Sequence, residues 1–256
     1  MSGLLLRLAG PLQSWGERSA FTAVRDTAAF PTRSALVGMF AASEGVGREE
    51  SAGLKRYEGV QLTVRVDRPG VLLPDYHTVG GGFPKARTAA TSGGGNKGAA
   101  VITRRHYLAD AVFVVAVTAP DDLTEQLAQA LRRPYWAPYL GRRSCPPDEP
   151  FLLRGHVSDP EAELLAGVPL SRTAPCGETE GTIPVEFLRE EPPSGAGAAR
   201  SADIIEVNDL PVSFAQQGRA HVGRSLYRTV EPVDRGMAGP QHELLDRLIA
   251  YAEERV

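Results

Sequence analysis

The sequence predicts an α+β fold. It reads as a ferredoxin-like (RRM-like) body carrying a long hairpin insertion, followed by a smaller β-rich C-terminal region. Three observations predict it. Patterned segments run strand, helix, strand, long interruption, strand, helix, which is the skeleton of a split βαβ unit. The interruption is roughly 35 residues long, between two strands that a hairpin would normally join by two to five. The last third is broken by Pro146-Pro147, Pro150, Pro160, Pro184 and Pro192-Pro193 into short strand-like pieces. The expected boundaries are 1–145 for the body, with its insertion at about 73–108, and 146–256 for the C-terminal region with a terminal helix.

Residues 3–9 are an apolar run closed by Gly10-Pro11, as a buried first strand would be. Pro31-Thr32-Arg33-Ser34 then opens a helix. Thr32 is placed as N-cap, Ala35, Leu36, Met39 and Phe40 form an apolar face, and Gly45 and Gly47 end the helix. Residues 60–66 alternate apolar and polar, which predicts a half-buried strand. Residues 111–118 are a continuous β-branched run, hence a central strand. Residues 121–133 start at Asp121-Asp122, bring Leu123, Leu127, Ala130 and Leu131 to one face, and stop before Pro134. Further strands are expected near 151–155, 183–188, 204–207 and 222–230. A helix over 240–255 should turn Leu244, Leu245, Leu248 and Ile249 inward.

Composition excludes several classes. No apolar run reaches the roughly 18 residues that a membrane helix needs. The start Met1-Ser2-Gly3-Leu4-Leu5-Leu6-Arg7 lacks the basic n-region of a signal peptide. Two cysteines, Cys145 and Cys176, make no disulfide framework. Neither these nor the five scattered histidines show zinc-ligand spacing, so a reducing, cytoplasmic setting without metal or cofactor is expected. The net charge of −3 argues against a globally basic nucleic-acid binder, but the charge is unevenly distributed. Residues 1–145 hold 18 basic and 12 acidic side chains, and residues 146–256 hold 10 and 19. Within 73–108 Asp75 is the sole acid, against Lys85, Arg87, Lys97, Arg104 and Arg105. Local positive charge is what phosphate binding requires, although a solvated basic face has the same composition. The middle of this insertion, from Gly80-Gly81-Gly82 to Gly93-Gly94-Gly95, is glycine-rich enough to order only on a ligand.

Four stretches carry the chemistry. They are Gly10-Pro11-Leu12-Gln13-Ser14-Trp15-Gly16, Pro31-Thr32-Arg33-Ser34-Ala35-Leu36-Val37-Gly38, the two flanks of the insertion, and Tyr139-Leu140-Gly141-Arg142-Arg143-Ser144-Cys145-Pro146-Pro147. The flanks are Leu73-Pro74-Asp75-Tyr76-His77-Thr78-Val79 and Thr103-Arg104-Arg105-His106-Tyr107-Leu108-Ala109. Thr32, Arg33 and Ser34 place free backbone N–H groups, hydroxyls and a guanidinium at a helix start, which suits a phosphate, or else a plain N-cap beside a surface arginine. Gln13 can read a base edge, and Trp15 can stack on an unpaired base or fill the core. Tyr76, His77, Arg104, Arg105, His106 and Tyr107 interleave aromatic and basic groups on adjacent strands, as single-stranded RNA sites do; the tyrosines serve equally as braces. Neighbouring strand residues face opposite ways, so Arg104 and Arg105 cannot share one role. Arg142-Arg143-Ser144 after Gly141 suit close approach to phosphate, or ion pairing with the acidic C-terminal third.

In this order and spacing, over residues 1 to about 157, the four stretches resemble the CRISPR-associated CasD family; the remainder is similar only loosely. The resemblance implies a ferredoxin-like palm whose insertion is a thumb. It further implies a non-catalytic subunit of a type I-E Cascade complex, which holds the 5′ handle of the CRISPR RNA and caps the complex. Backbone and large subunits would be its partners, and target DNA would be met only through the complex. The family pattern favours Arg105 over Arg104. The residues expected at RNA are Gln13, Ser14, Trp15, Arg25, Thr32, Arg33, Ser34, Tyr76, His77, Thr78, Lys85, Lys97, Arg104, Arg105, His106, Tyr107, Arg142, Arg143 and Ser144. Relatives in type I-C cut precursor RNA without metal, and His77, Tyr76 and His106 are the groups that such chemistry would use here. A third reading is a protein-only adaptor whose basic insertion docks an acidic partner.

Overall fold

In the computed structural model the described residues are 1–16, 23–80, 84, 87–88, 95, 100–173, 181–193, 202–215 and 218–253. Lys85, Lys97, Cys176 and most of the glycine-rich tip lie outside them, and with them the expectation that the tip orders on a ligand.

The chain builds a mixed α/β fold with mostly antiparallel sheets. The elements in order are β1 (Ser2–Ala9), β2 (Leu12–Gln13), β3 (Val24–Arg25), α1 (Arg33–Ser43), a 3-10 helix (Ser51–Tyr57), β4 (Gln61–Arg68), β5 (Val71–Val79), β6 (Val101–Ala109) and β7 (Val112–Ala119). Then follow α2 (Asp121–Arg132), β8 (Leu152–Val157), α3 (Pro160–Ala166), β9 (Thr182–Arg189), β10 (Asp203–Ser213), β11 (Ala220–Asp234) and α4 (Leu244–Glu253). The main sheet has the order β10-β11-β9-β4-β7-β1-β8. A second sheet is centred on β6. It pairs with β5 along one edge and with β2 and β3 along the other.

Strand periodicity explains why the main sheet is apolar on both sides. On β1, Leu4, Leu6 and Leu8 face one core while Leu5 faces another; on β7, Phe113, Val115 and Val117 oppose Val114 and Ala116. Leu36 and Phe40 of α1 and Leu127 and Leu131 of α2 close the first core. Leu164 of α3 and Leu244, Leu248 and Tyr251 of α4 close the second. Each of these large side chains stabilises the fold by roughly 1.5–3 kcal/mol on burial. α2 follows its reading closely: Asp121 and Asp122 sit in the first turn and Arg132 in the last, which complements the helix dipole.

Three expectations change. The boundary at 145/146 does not divide two bodies, because β8 hydrogen-bonds to β1 and β9 to β4, and α3 and α4 roof the second face of that sheet. β4 is not half-exposed. Its Arg65 is fully buried, paired with Asp67 at 2.6 Å, and donates to the carbonyls of Leu164, Val168 and Pro169 at the end of α3. Asp67 also accepts from the Ser171 amide at 2.7 Å, so both members of this buried ion pair have further partners. In α4, Leu245 and Ile249 face outward; Leu244, Leu248 and Tyr251 make the inward face.

Candidate nucleic-acid interface

The second sheet gathers the first and fourth stretches and the insertion flanks into one place. Ser14 is the junction. Its amide donates to Leu140 O at 3.1 Å, and its hydroxyl donates to His106 O at 3.0 Å. Gly141 lies against it with φ +83°, and a Cβ there would overlap the Ser14 carbonyl oxygen, so this contact requires glycine twice over. Gln13 and Trp15 act inside this junction. The Gln13 amide nitrogen donates to Leu8 O (2.9 Å) and Ala111 O (2.8 Å), and its oxygen accepts from Trp15 Nε1 (3.1 Å). Both side chains are fully buried. Gln13 therefore has no free edge to offer a base, and the ring of Trp15 is core.

The second stretch goes elsewhere. Thr32, Arg33 and Ser34 are all buried, and Arg33 is not a surface arginine. Its guanidinium pairs with Glu190 at 2.7 Å and donates to Val60 O and Tyr57 O, each at 2.9 Å. The anion at the start of α1 is a carboxylate: Arg33 N donates to Asp209 Oδ2 at 2.6 Å, while the Thr32 side chain makes no cap bond. Arg224 completes the cluster, reaching Asp209 at 2.5 Å and Glu190 at 2.8 Å. Two arginines thus meet two carboxylates, and the phosphate-like site is already filled from β10.

The β5–β6 pairing runs without a register shift from Val71↔Ala109 to Val79↔Val101, so paired residues share a face and neighbours alternate. One face carries Tyr76 opposite Arg104, Pro74 opposite His106, and Thr78 opposite Ile102, with Val24 of β3 beside Arg104. The other carries His77 opposite Thr103, Asp75 opposite Arg105, and Leu73 opposite Tyr107, with Arg25 beside Arg105. Tyr76 is 66% exposed, whereas Tyr107 is buried as a brace. Arg142 lies 4.6 Å over the Tyr107 ring and donates to Arg25 O at 3.2 Å; its Nη1 is buried with no partner among the described residues. The second face therefore gathers Arg25, Arg105 and, one layer in, Arg142. Asp75 is the acid there, with the His77 imidazole 3.7 Å away. Arg143 and Ser144 are exposed on the loop that carries Arg142.

Sequence reasoning misses the Arg33–Glu190–Asp209–Arg224 cluster, whose partners lie up to 176 residues apart. It also passes over Tyr135 and Trp136, which are exposed despite their apolar bulk; the aromatic run between Pro134 and Pro138 is the signal that could have marked them. A groove of about 870 Å³ beside β8, lined by Leu131, Arg132, Phe151, Arg154, His156 and Ala252, holds none of the expected residues. Among the described residues no three His, Cys, Asp or Glu side chains are gathered as a metal site would need, and no helix is long and apolar enough to cross a membrane.

Comparison with known proteins bears on the whole chain. A family model described as CRISPR-associated protein (Cas_Cas5) matches residues 3–227. The CRISPR system Cascade subunit CasD of Escherichia coli (strain K12) is 41% identical over 177 residues, covering 64% of this chain and 76% of that protein. A solved chain titled CRISPR RNA-guided surveillance complex is 43% identical and superposes with a TM-score of 0.86 over 98% of this chain and 100% of its own. A second, titled Crystal structure of Cas protein, is 30% identical with a TM-score of 0.59, over 92% and 97%. This chain belongs to the Cas5 family of CRISPR-associated proteins.

Proposed function

We propose that this chain is a non-catalytic subunit of a Cascade-type CRISPR surveillance complex, and that it holds the 5′ handle of the CRISPR RNA on its second sheet. The observation that carries the reading is the end-to-end likeness to a chain of a CRISPR RNA-guided surveillance complex. In this reading β8-β1-β7-β4, with α1 and α2 as their connections, is the ferredoxin-like palm, and β5–β6 is the thumb. The face bearing Arg25 and Arg105 grips phosphates. Arg143 and Ser144 border it, and Arg142 supports it through Tyr107 and the Arg25 carbonyl. Tyr76, Arg104 and Thr78 serve the opposite face, and backbone and large subunits cover the remainder in the cytoplasm.

The hairpin register bears on the non-catalytic part by setting His77 apart from the other candidates. Cleavage without metal needs a base and a charge donor around one phosphate. His77 and His106 lie on opposite faces of the β5–β6 sheet, so they do not converge on one. His77 is thus apart from both other candidates, while Tyr76 and His106 share a face with Arg104 between them, and the cleavage assay below decides their role.

The test is a filter-binding titration of handle RNA against salt. Arg25→Ala with Arg105→Ala should weaken binding and lower the salt slope by about 0.7 for each lost contact to single-stranded RNA. Unchanged affinity and slope would remove the assignment. Incubating the protein with precursor CRISPR RNA in EDTA tests the second clause. Cutting within the repeat that His77→Ala or His106→Ala abolishes would replace it with the endoribonuclease reading.

A further inference from the structure

The main sheet ends on β8, which pairs with β1 on one side and, among the described residues, with no strand on the other. Such an edge presents a row of unpaired N–H and C=O groups, and folded proteins blunt it with charge or proline. β10, at the opposite end of the sheet, is blunted in that way: it carries Asp203, Glu206 and Pro211. β8 runs Leu-Leu-Arg-Gly-His-Val, with no proline and no acid. Its arginine, Arg154, is engaged by α4, donating to Tyr251 O at 3.1 Å and lying 3.9 Å over the Tyr251 ring. Two register shifts against β1 add local twist without covering the outer side.

The groove of about 870 Å³ lies along this edge. β8 forms its floor, Leu131 and Arg132 of α2 one wall, and Ala252 of α4 the other. α2 and α4 cover opposite faces of the sheet, so they leave between them a slot that continues its plane. Gly155 lies in this floor. A Cβ there would stand 2.4 Å from Arg132 Nη2 and 3.0 Å from Ala128 Cβ, so the guanidinium rests across the strand where a side chain would otherwise be. A glycine inside a strand suits the close approach of another backbone. Among the described residues no carboxylate pairs with Arg132. Glu149, the acid in the lining, accepts from the Phe151 amide at 2.9 Å. Glu163 is held by Arg154 at 3.4 Å and by the Tyr251 hydroxyl at 2.6 Å. Arg133, Asp148, Asp159 and Glu253 adjoin lining residues in sequence but do not line the groove. The lining therefore sets two arginines against one glutamate.

We propose that the outer edge of β8 takes an extended segment of another protein chain as an added strand, with a carboxylate on that segment paired to Arg132. Main-chain hydrogen bonds hold such a segment, and the side chains beside the edge select it. The six residues of β8 offer an edge about 20 Å long. The site is separate from the β5–β6 hairpin and does not rest on the handle reading; that the segment belongs to another subunit rests on the Cascade reading.

Hydrogen exchange followed by mass spectrometry tests it on the full chain. The probes are three capped peptides as long as β8. One alternates threonine and valine around a central glutamate, the second has lysine in place of that glutamate, and the third is the glutamate peptide methylated on all its amide nitrogens. The glutamate peptide should slow exchange over residues 151–158 but not over β10, and should bind at least about threefold more tightly than the lysine peptide. The methylated peptide should slow nothing, and Arg132→Glu should reverse the preference between glutamate and lysine. In the purified complex the same amides should be slow. Fast exchange there, with the chain incorporated, would overturn the proposal. A chain that fails to incorporate counts against the Cascade reading, and the peptides still decide this one. No slowing by the glutamate peptide, equal slowing by the methylated one, or equal affinity for glutamate and lysine would also overturn it. Slowing that grows with protein concentration in the absence of peptide would assign the edge to a second copy of this chain instead.

Discussion

Arg33→Ala should unfold this protein sooner rather than loosen its grip on RNA. The side chain is 5% exposed and makes three bonds to the fold: an ion pair with Glu190 at 2.7 Å and two donations, to Val60 O and Tyr57 O. Alanine removes all three and leaves Glu190 and Asp209 with Arg224 as the one remaining guanidinium of the cluster. Breaking a buried pair by removing one partner costs roughly 3–5 kcal/mol. Arg224 still bonds both carboxylates, so the lower end, about 3 kcal/mol, is expected. At roughly 2–4 °C per kcal/mol for a chain of this size, Tm should fall by about 6–12 °C. Thermal denaturation followed by circular dichroism measures this, with RNA affinity determined on the folded fraction. The double variant Arg33→Ala with Glu190→Gln should lose less than the sum of the two singles, because the second change removes the charge that the first leaves unpaired. A Tm within about 2 °C of the parent, combined with weakened RNA binding, would refute this account and return Arg33 to the phosphate role.

Gly141→Ala forces a Cβ onto the Ser14 carbonyl at φ +83°, so urea unfolding should show a loss of about 2 kcal/mol or more; an unchanged midpoint would mean that the loop does not pack on Ser14 as described. His221 makes stability pH-dependent. Its pKa is lowered first by burial and then by Arg219, against a smaller opposing effect of Asp209, and its Nε2 has no partner among the described residues. The unfolded chain therefore takes up the proton first as pH falls through the ordinary histidine range near 6.5. Stability present above that value is lost below it, and His221→Gln should show a smaller fall in Tm between neutral and mildly acidic pH. A parallel fall in both proteins would assign the pH dependence elsewhere.

What the sequence reveals divides along the range of the interactions. Local signals succeed where the period or a turn residue decides. The apolar stripe and Gly45 place α1, Pro134 bounds α2, and the β-branched run places β7 in the interior of the main sheet, between β4 and β1. They fail where a second layer decides. Arg65 alternates with apolar residues and reads as solvent-facing, yet α3, nearly a hundred residues on, brings carbonyls that receive its guanidinium. The N-terminus of α1 shows both outcomes at one point. Orphan amides and an arginine mark it as an anion site, and it is one. The identity of the anion is invisible, because Asp209 is turned inward at a register shift between Val207 and Leu210 of β10, which no local pattern announces. Read alone, the stretch looks like an open phosphate cradle; in the fold it is a lock that ties the C-terminal ribbon to the first helix. The insertion behaves in the opposite way. Its partners are adjacent strands in unbroken register, so alternation alone separates Arg104 from Arg105, and the fold adds Arg25 from β3 to the face of Arg105. A basic residue can therefore be assigned to a ligand from sequence only where solvent, and not another part of the same chain, stands opposite it.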